Sequence, residues 1–285
     1  MRPFKPVPDS EEDKARARLL AHFVDHPSEV FYSRQLEVLF EDEFFHWITN
    51  RALRRLLEEE KSVSSEARTL DIGSTINLVW NKSFRFYKRA AKEVFDLVNE
   101  YTNAAGDGTL GMQGEHLVLA AFARRQFVLK NEEANQWSGK QWTETNHDLD
   151  FIFEKNDVAY GIEVKNTLGY LDSNEFVTKI RMARYLGLKP VFAVRWLPKT
   201  WISALAASGG YAMVMKYQFY PWTHQDLAGR VREKLRLPVD TPKKIEDGTM
   251  NRFEHWITTP SSYIETDAKK LEKLLAKINP PRIPT

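Results

Sequence analysis

Residues 146–166, NHDLDFIFEKNDVAYGIEVKN, constrain this chain more than any other stretch. Two apolar runs, LDFIF at 149–153 and YGIEV at 160–164, flank a polar turn at Lys155, Asn156 and Asp157. Their aromatic and branched residues favour strands, and two strands this close in sequence read as a hairpin. Side chains alternate between the faces of a strand. That puts Leu149, Phe151 and Phe153 on one face and Asp148, Asp150 and Ile152 on the other. In the second run Ile162 and Val164 share a face, opposite Glu163 and Lys165. With the apolar faces aligned, Asp150, Glu163 and Lys165 emerge together on the polar side of one sheet.

Folding a hairpin does not demand such a trio. Two adjacent carboxylates repel, and one takes up a proton unless a cation lies between them. Magnesium suits that place, because it is bound by one or two carboxylates and keeps waters for substrate phosphates. A lysine beside it can orient or help deprotonate an attacking water and balance charge on a phosphate. The spacing points to metal-assisted phosphodiester hydrolysis; a surface hairpin with a Glu–Lys cross-strand pair is the alternative.

At these residues the chain resembles the PD-(D/E)xK nuclease superfamily, the restriction-endonuclease-like fold. Its motif is an aspartate at the start of one strand and Glu-x-Lys in the next, matched by Asp150 and by Glu163-Val164-Lys165. A glutamate on the preceding helix is frequent in the superfamily, and Glu115 in GEHLVLAAFARRQF matches it. A helix and a strand then follow, as FVTKIRMARYLG and KPVFAV do here. The resemblance covers the stretch from Gln113 to Tyr220, less than half the chain. It implies an α/β fold, with a restriction-endonuclease-like αβ core and a mixed central sheet. It also implies that Asp150 and Glu163 bind Mg²⁺, or Mn²⁺ in its place, with the Val164 carbonyl. Glu115 would help bind or position the metal, and Lys165 would activate or orient the water. Family helices at 175–186 often supply a basic or amide residue to the site, which singles out Lys179 as a contact to DNA, with an ordinary solvated lysine as the alternative.

The amino-terminal part has a different pattern. Residues 1–8 hold three prolines and read as an extended lead-in, and Asp9 or Ser10 is placed to cap a helix whose first turn carries Glu11, Glu12 and Asp13. That helix buries Leu19, Leu20, Phe23 and Val24, and a short one follows at 33–40. FFHWITNRALRRLLEEE is a third, with Phe45, Ile48, Ala52, Leu53, Leu56 and Leu57 inward. KSVSSEARTLDIG reads as polar and turn-like, and TINLVW alternates as a strand does. Three helices and a hairpin over residues 10–81 resemble a winged helix-turn-helix, so a winged-helix domain precedes the core. In that class the third helix enters the major groove. Its outward residues here are His46, Thr49, Asn50, Arg51, Arg54 and Arg55, and Arg and Asn are able to read guanine and adenine edges. Glu58, Glu59 and Glu60 at its end would repel phosphates, and winged helices also serve protein contacts.

Four segments result: a winged-helix module at 1–81, a linking amphipathic helix at 82–111, a nuclease core at 112–225 and a helical or irregular extension at 226–285. Lys82, Arg85, Lys88, Arg89 and Lys92 crowd the start of the linking helix, as a solvated face or a phosphate-facing stripe. His147 reads as a loop residue, Trp137 and Trp142 as packing residues, and TPKKIEDGTMNRFEHW as irregular.

Bulk properties bound the rest. With 41 basic and 39 acidic residues among 285, the net charge is +2, so any nucleic-acid surface must come from local clustering. The absence of cysteine excludes disulfides, thiolate zinc sites and cysteine nucleophiles. With no signal-like start and no apolar run near the ~18 residues of a membrane span, a cytoplasmic protein without membrane contact is expected. No GxxxxGK[ST] loop or HExxH pattern occurs, so no nucleotide cofactor is expected. Taken with the resemblance, these features imply a Mg²⁺-dependent endodeoxyribonuclease acting on double-stranded DNA. Cutting both strands takes two sites, hence a homodimer. A restriction or defence enzyme, a Holliday-junction-type structure-selective nuclease, a non-catalytic DNA-binding regulator and RNA as substrate all stay open.

Overall fold

The computed structural model describes residues 10–105, 108–259 and 267–278. The proline-rich lead-in, Asp9 and the closing PPRIPT lie outside the described residues. The chain divides into two compact units, Met1–Asp107 with Asp226–Val239, and Gly108–Gln225 with Asp240–Thr285. The segment expected as a linker thus falls mostly within the first unit, and the expected carboxy-terminal extension is shared between the two.

In the first unit the order is α1 (Ser10–Asp25), β1 (Val30–Tyr32), α2 (Ser33–Leu39), α3 (His46–Glu59), β2 (Val63–Thr69), β3 (Thr75–Asn81) and α4 (Tyr87–Ala105). Ala15, Leu19 and Phe23 recur every fourth residue and form the buried stripe of α1, meeting Ala52, Leu53 and Leu56 of α3 over Phe31 and Val79. The antiparallel sheet runs β1-β3-β2. Two strands differ from the sequence expectation. β1, of three residues, has no counterpart in that expectation, and β2 falls in the stretch read as turn-like. β2 is an edge strand with half its side chains in water, so it needs no apolar run, only the alternation its burial shows. Helix α4 begins five residues later than expected, where the Tyr87 ring stacks on Trp80 at 4.4 Å. Most of α8 (Gln225–Leu235) belongs to this unit, its Leu235 carbonyl accepting from Gln35 Nε2 at 2.9 Å.

The second unit contains α5 (Thr109–Arg124), β4 (Val128–Ala134), a small hairpin of β5 (Gln136–Trp137) and β6 (Lys140–Gln141), β7 (Leu149–Lys155), β8 (Val158–Lys165), α6 (Ser173–Leu186), β9 (Lys189–Val194), α7 (Lys199–Ala207), β10 (Tyr211–Val214), β11 (Gln218–Phe219), and after β12 (Val239–Asp240) the helices α9 (Asp247–Thr258) and α10 (Ala268–Ile278). Its mixed sheet runs β10-β9-β8-β7-β4, parallel from β10 to β8 and antiparallel from β8 to β4. Phe151, Phe153, Ile162 and Val164 line one face and pack with Val118 and Phe122 of α5 and Met250 and Phe253 of α9. α9 is a helix where an irregular segment was expected; its Phe253 ring lies 5.2 Å from Phe122. Phe192 and Val194 line the other face, under α6, α7 and α10.

Both faces of the β7–β8 hairpin are therefore covered, which corrects the expectation of a polar outer side. Leu149 also departs from simple alternation. It packs with Ile152, Met182 and Leu186 rather than with Phe151 and Phe153, at the strand end where its ladder partner is Ala134 of β4.

Candidate active site

The register of β7 and β8 assembles the site. Phe151 pairs with Ile162, so one step on Asp150 comes opposite Glu163, and directly opposed residues of an antiparallel pair share a face. The Asp150 carboxylate also accepts from the Val164 amide at 2.5 Å, which fixes it across the strand pair. Parallel pairing sets Glu163 beside Phe192 and Lys165 beside Val194, on the face that α6 covers. Glu163 is left 2% exposed.

Helix α6 answers these charges with its own. Its start is set by Asp172, whose side chain accepts from the Asn174 and Glu175 amides. Glu175 and Lys179 then lie one turn apart on one side of the helix. Lys179 Nζ donates to Glu163 Oε2 at 2.6 Å and to the Asp148 carbonyl. Lys165 Nζ donates to Glu175 Oε1 at 2.7 Å and lies 3.9 Å from Glu163 Oε1. Lys179, Glu163, Lys165 and Glu175 form a chain of alternating charge.

This chain does not saturate the carboxylates. Burial, then the Asp150 charge, outweighs both lysines and pushes the Glu163 carboxyl up to about 7. Burial raises Asp150 as well, against the pull of the Val164 amide and the lysines. Glu115 is raised by burial and by the Asp150 charge, which places it within electrostatic reach of the strand pair. Burial works to lower the Lys165 ammonium, but Glu175, with Glu163 and Asp150, more than offsets it and holds Lys165 above the ordinary range. The cluster calls for more positive charge than it contains.

Hard oxygen donors on Asp150 and Glu163 suit a magnesium-like ion, which needs only one or two carboxylates. Among the described residues no three carboxylate or imidazole side chains converge as a ready metal cage, so Glu115 does not complete one with Asp150 and Glu163. Lys179, expected as a contact to DNA, is instead buried against Glu163. Asp148 lies outside β7, exposed, and contributes its carbonyl to Lys179. His147 is a loop residue bonded to Thr145, and Trp142 is buried with its indole N–H on the same hydroxyl.

Two positions missed in the sequence hold the site together. Asn166, next after the motif, is buried; its amide donates to the Leu110 and Phe219 carbonyls, and its Oδ1 accepts from the Phe219 amide at 2.6 Å. Gly114, beside Glu115, lies so close to Asn166 that an added Cβ would stand 2.5 Å from the asparagine Cβ. Neither residue carries a motif signal. Glu175 carries none either, since its pairing with Lys165 depends on where α6 docks.

The face of α3 expected to read bases is largely occupied. Thr49 is buried rather than outward, and burial, then Arg34, lowers the half-buried His46 to about 4. Asn50 donates to Glu37 at 2.7 Å, Arg51 pairs with Glu12 at 3.3 Å, and Arg55 with Asp13 at 2.7 Å and Glu59 at 2.8 Å. The acids in the first turn of α1, which suit its helix dipole, also neutralise α3. Arg54 remains exposed.

No family model, no curated protein and no solved structure matches this chain. Among the described residues no helix is long and apolar enough to cross a membrane.

Proposed function

We propose that the second unit is a restriction-endonuclease-like nuclease core that hydrolyses phosphodiester bonds with a divalent metal, and that the first is a winged-helix module. One observation carries this reading: Asp150 and Glu163 meet across β7 and β8 with Lys165 on the same face, in a cluster short of positive charge. Asp150 and Glu163, with the Val164 carbonyl, would hold Mg²⁺ or Mn²⁺, and Glu115 would help position a water of the ion. When bound, the ion would polarise the attacking water and neutralise charge on the scissile phosphate. Lys165, kept protonated by Glu175, would orient the water and stabilise the charge that develops on the phosphate oxygens, acting as a fixed cation rather than a base. In-line attack would leave a 5′-phosphate, and cutting both strands of DNA would need two copies of the chain.

Lys179 favours a second reading. Its ammonium already lies 2.6 Å from Glu163 Oε2, as it would in a non-catalytic DNA-binding protein with an idle nuclease-like core. One experiment separates the two: cleavage of supercoiled plasmid, duplex, four-way junction and single strands, with Mg²⁺, Mn²⁺ or EDTA. Metal-dependent cutting that Lys165→Ala abolishes, with DNA binding retained, supports the nuclease. Binding without cutting of any substrate supports the idle core.

A further inference from the structure

The cations of α3 are largely spent on internal acids, but those just before and at the start of α4 are not. Lys82, Arg85 and Lys88 are exposed and none makes an ion pair among the described residues. Arg89 and Lys92, further along, are taken up by Glu93 and Asp96. Between the free cations stands Phe86, at 79% the most exposed of the exposed large apolar side chains. A phenyl ring displayed so fully gains nothing from folding.

The segment is held firmly on both sides. Asn81 Nδ2 donates to the Phe23 carbonyl at 3.1 Å, and Asn81 Oδ1 accepts from the Ser83 amide and hydroxyl at 3.0 and 2.8 Å. The Phe84 amide closes the turn on the Asn81 carbonyl at 2.9 Å. Past Phe86, Tyr87 is stacked on Trp80 with the ring planes 8° apart. The cations and the exposed ring are thus presented from a fixed backbone, which lowers the ordering cost of binding.

We propose that residues 82–88 are a binding surface for single-stranded nucleic acid, with phosphates on Lys82, Arg85 and Lys88 and an unpaired base stacked on Phe86. Cations supply attraction to any polyanion, and an exposed phenyl ring adds a stacking platform for a base face that duplex pairing would hide. A protein partner would need to bring acids to three cations around the ring, which a phosphate backbone does by its repeat. The surface stands independently of the nuclease reading, since no residue of the second unit takes part.

The test is fluorescence anisotropy on the full chain in EDTA, where no cutting interferes, with labelled oligothymidine, oligouridine and a duplex of equal length. Phe86→Ala should weaken single-strand binding by about 5- to 100-fold and duplex binding far less, with Phe86→Trp retaining affinity. Replacing Lys82, Arg85 and Lys88 together by alanine should reduce the salt slope of single-strand binding by about 2. Arg18→Ala, whose cation is paired with Glu43 and has no place in any proposed site, serves as the control and should leave it unchanged. The oligothymidine and oligouridine arms show which strand is preferred. Absence of single-strand binding by the wild type at low salt, an unchanged affinity in Phe86→Ala, or equal losses on strand and duplex would each overturn the proposal. So would a Phe86→Ala chain that loses only self-association in sedimentation.

Discussion

The two units handle charge in opposite ways. On the first, the arginines of α3 meet the acids of α1 at the surface, as in the Arg51–Glu12 and Arg55–Asp13 pairs. Such pairs keep their water and contribute little. In the second, Glu163 and Lys179 are drawn almost wholly out of water and held at 2.6 Å. Burying both costs several kcal/mol of hydration that their attraction returns only with good geometry, so stability alone is a poor reason to keep them. The contrast teaches where to look for chemistry. A surface arginine, however suggestive on a helical wheel, is easily cancelled by a neighbour, whereas buried charges in excess of their partners mark a site.

Removing a lysine from the buried cluster of the second unit is the sharpest way to break this comparison. Lys165→Ala should reduce cleavage by at least about 10²-fold, the usual cost of a transition-state charge stabiliser, with DNA affinity nearly intact. Loss of binding and cutting together would show instead a structural role. Lys179→Met leaves Glu163 buried without its main counter-ion and should lower the stability of the metal-free protein by about 3–5 kcal/mol in denaturant unfolding. Added Mn²⁺ should restore part of that loss. No recovery with metal would mean that the acids do not hold an ion.

Acidity should act on the stability of the two units in opposite directions. His22 is buried against Phe31 and Phe40, and burial, then His26, lowers it to about 4. Its folded pKa lies below the usual 6.5, so the unfolded chain takes up the proton first as pH falls. The first unit should therefore lose stability between pH 6.5 and 4, and His46, lowered in the same direction, adds to the loss. Glu163 shifts the other way. Its folded carboxyl holds the proton up to about 7, so the metal-free second unit should lose about 3 kcal/mol as pH rises from 4.5 to 7. Hydrogen-exchange protection of the full chain resolves both, with His22→Phe and Glu163→Gln each weakening the pH dependence of its own unit. The same pH trend in both units would defeat the comparison. The smallest effect expected is at Gly114→Ala, where forcing Asn166 aside should cost about 1–3 kcal/mol in thermal melting, confined to the second unit.

By itself the sequence determined what is local. Alternation in LDFIF and YGIEV gives the strand pair, the spacing of Asp150 and Glu-x-Lys brings carboxylates and lysine together, and the apolar period of 117–122 gives the buried stripe of α5. These follow from periods of two and 3.6 residues, which a short window contains. It left α9 and β2 unread because an edge strand and a capping helix need only a few apolar contacts. Tertiary structure alone decided that α6 roofs the carboxylates, that Lys179 sits on Glu163, that Asn166 wedges against Gly114, and that Glu12 and Asp13 disarm α3. Each of these joins residues more than a dozen positions apart, and their meeting depends on how elements dock, a distance no local pattern encodes. The same limit applies to Phe86: a ring amid cations is legible in the chain, but only the folded turn shows it standing exposed among the described residues.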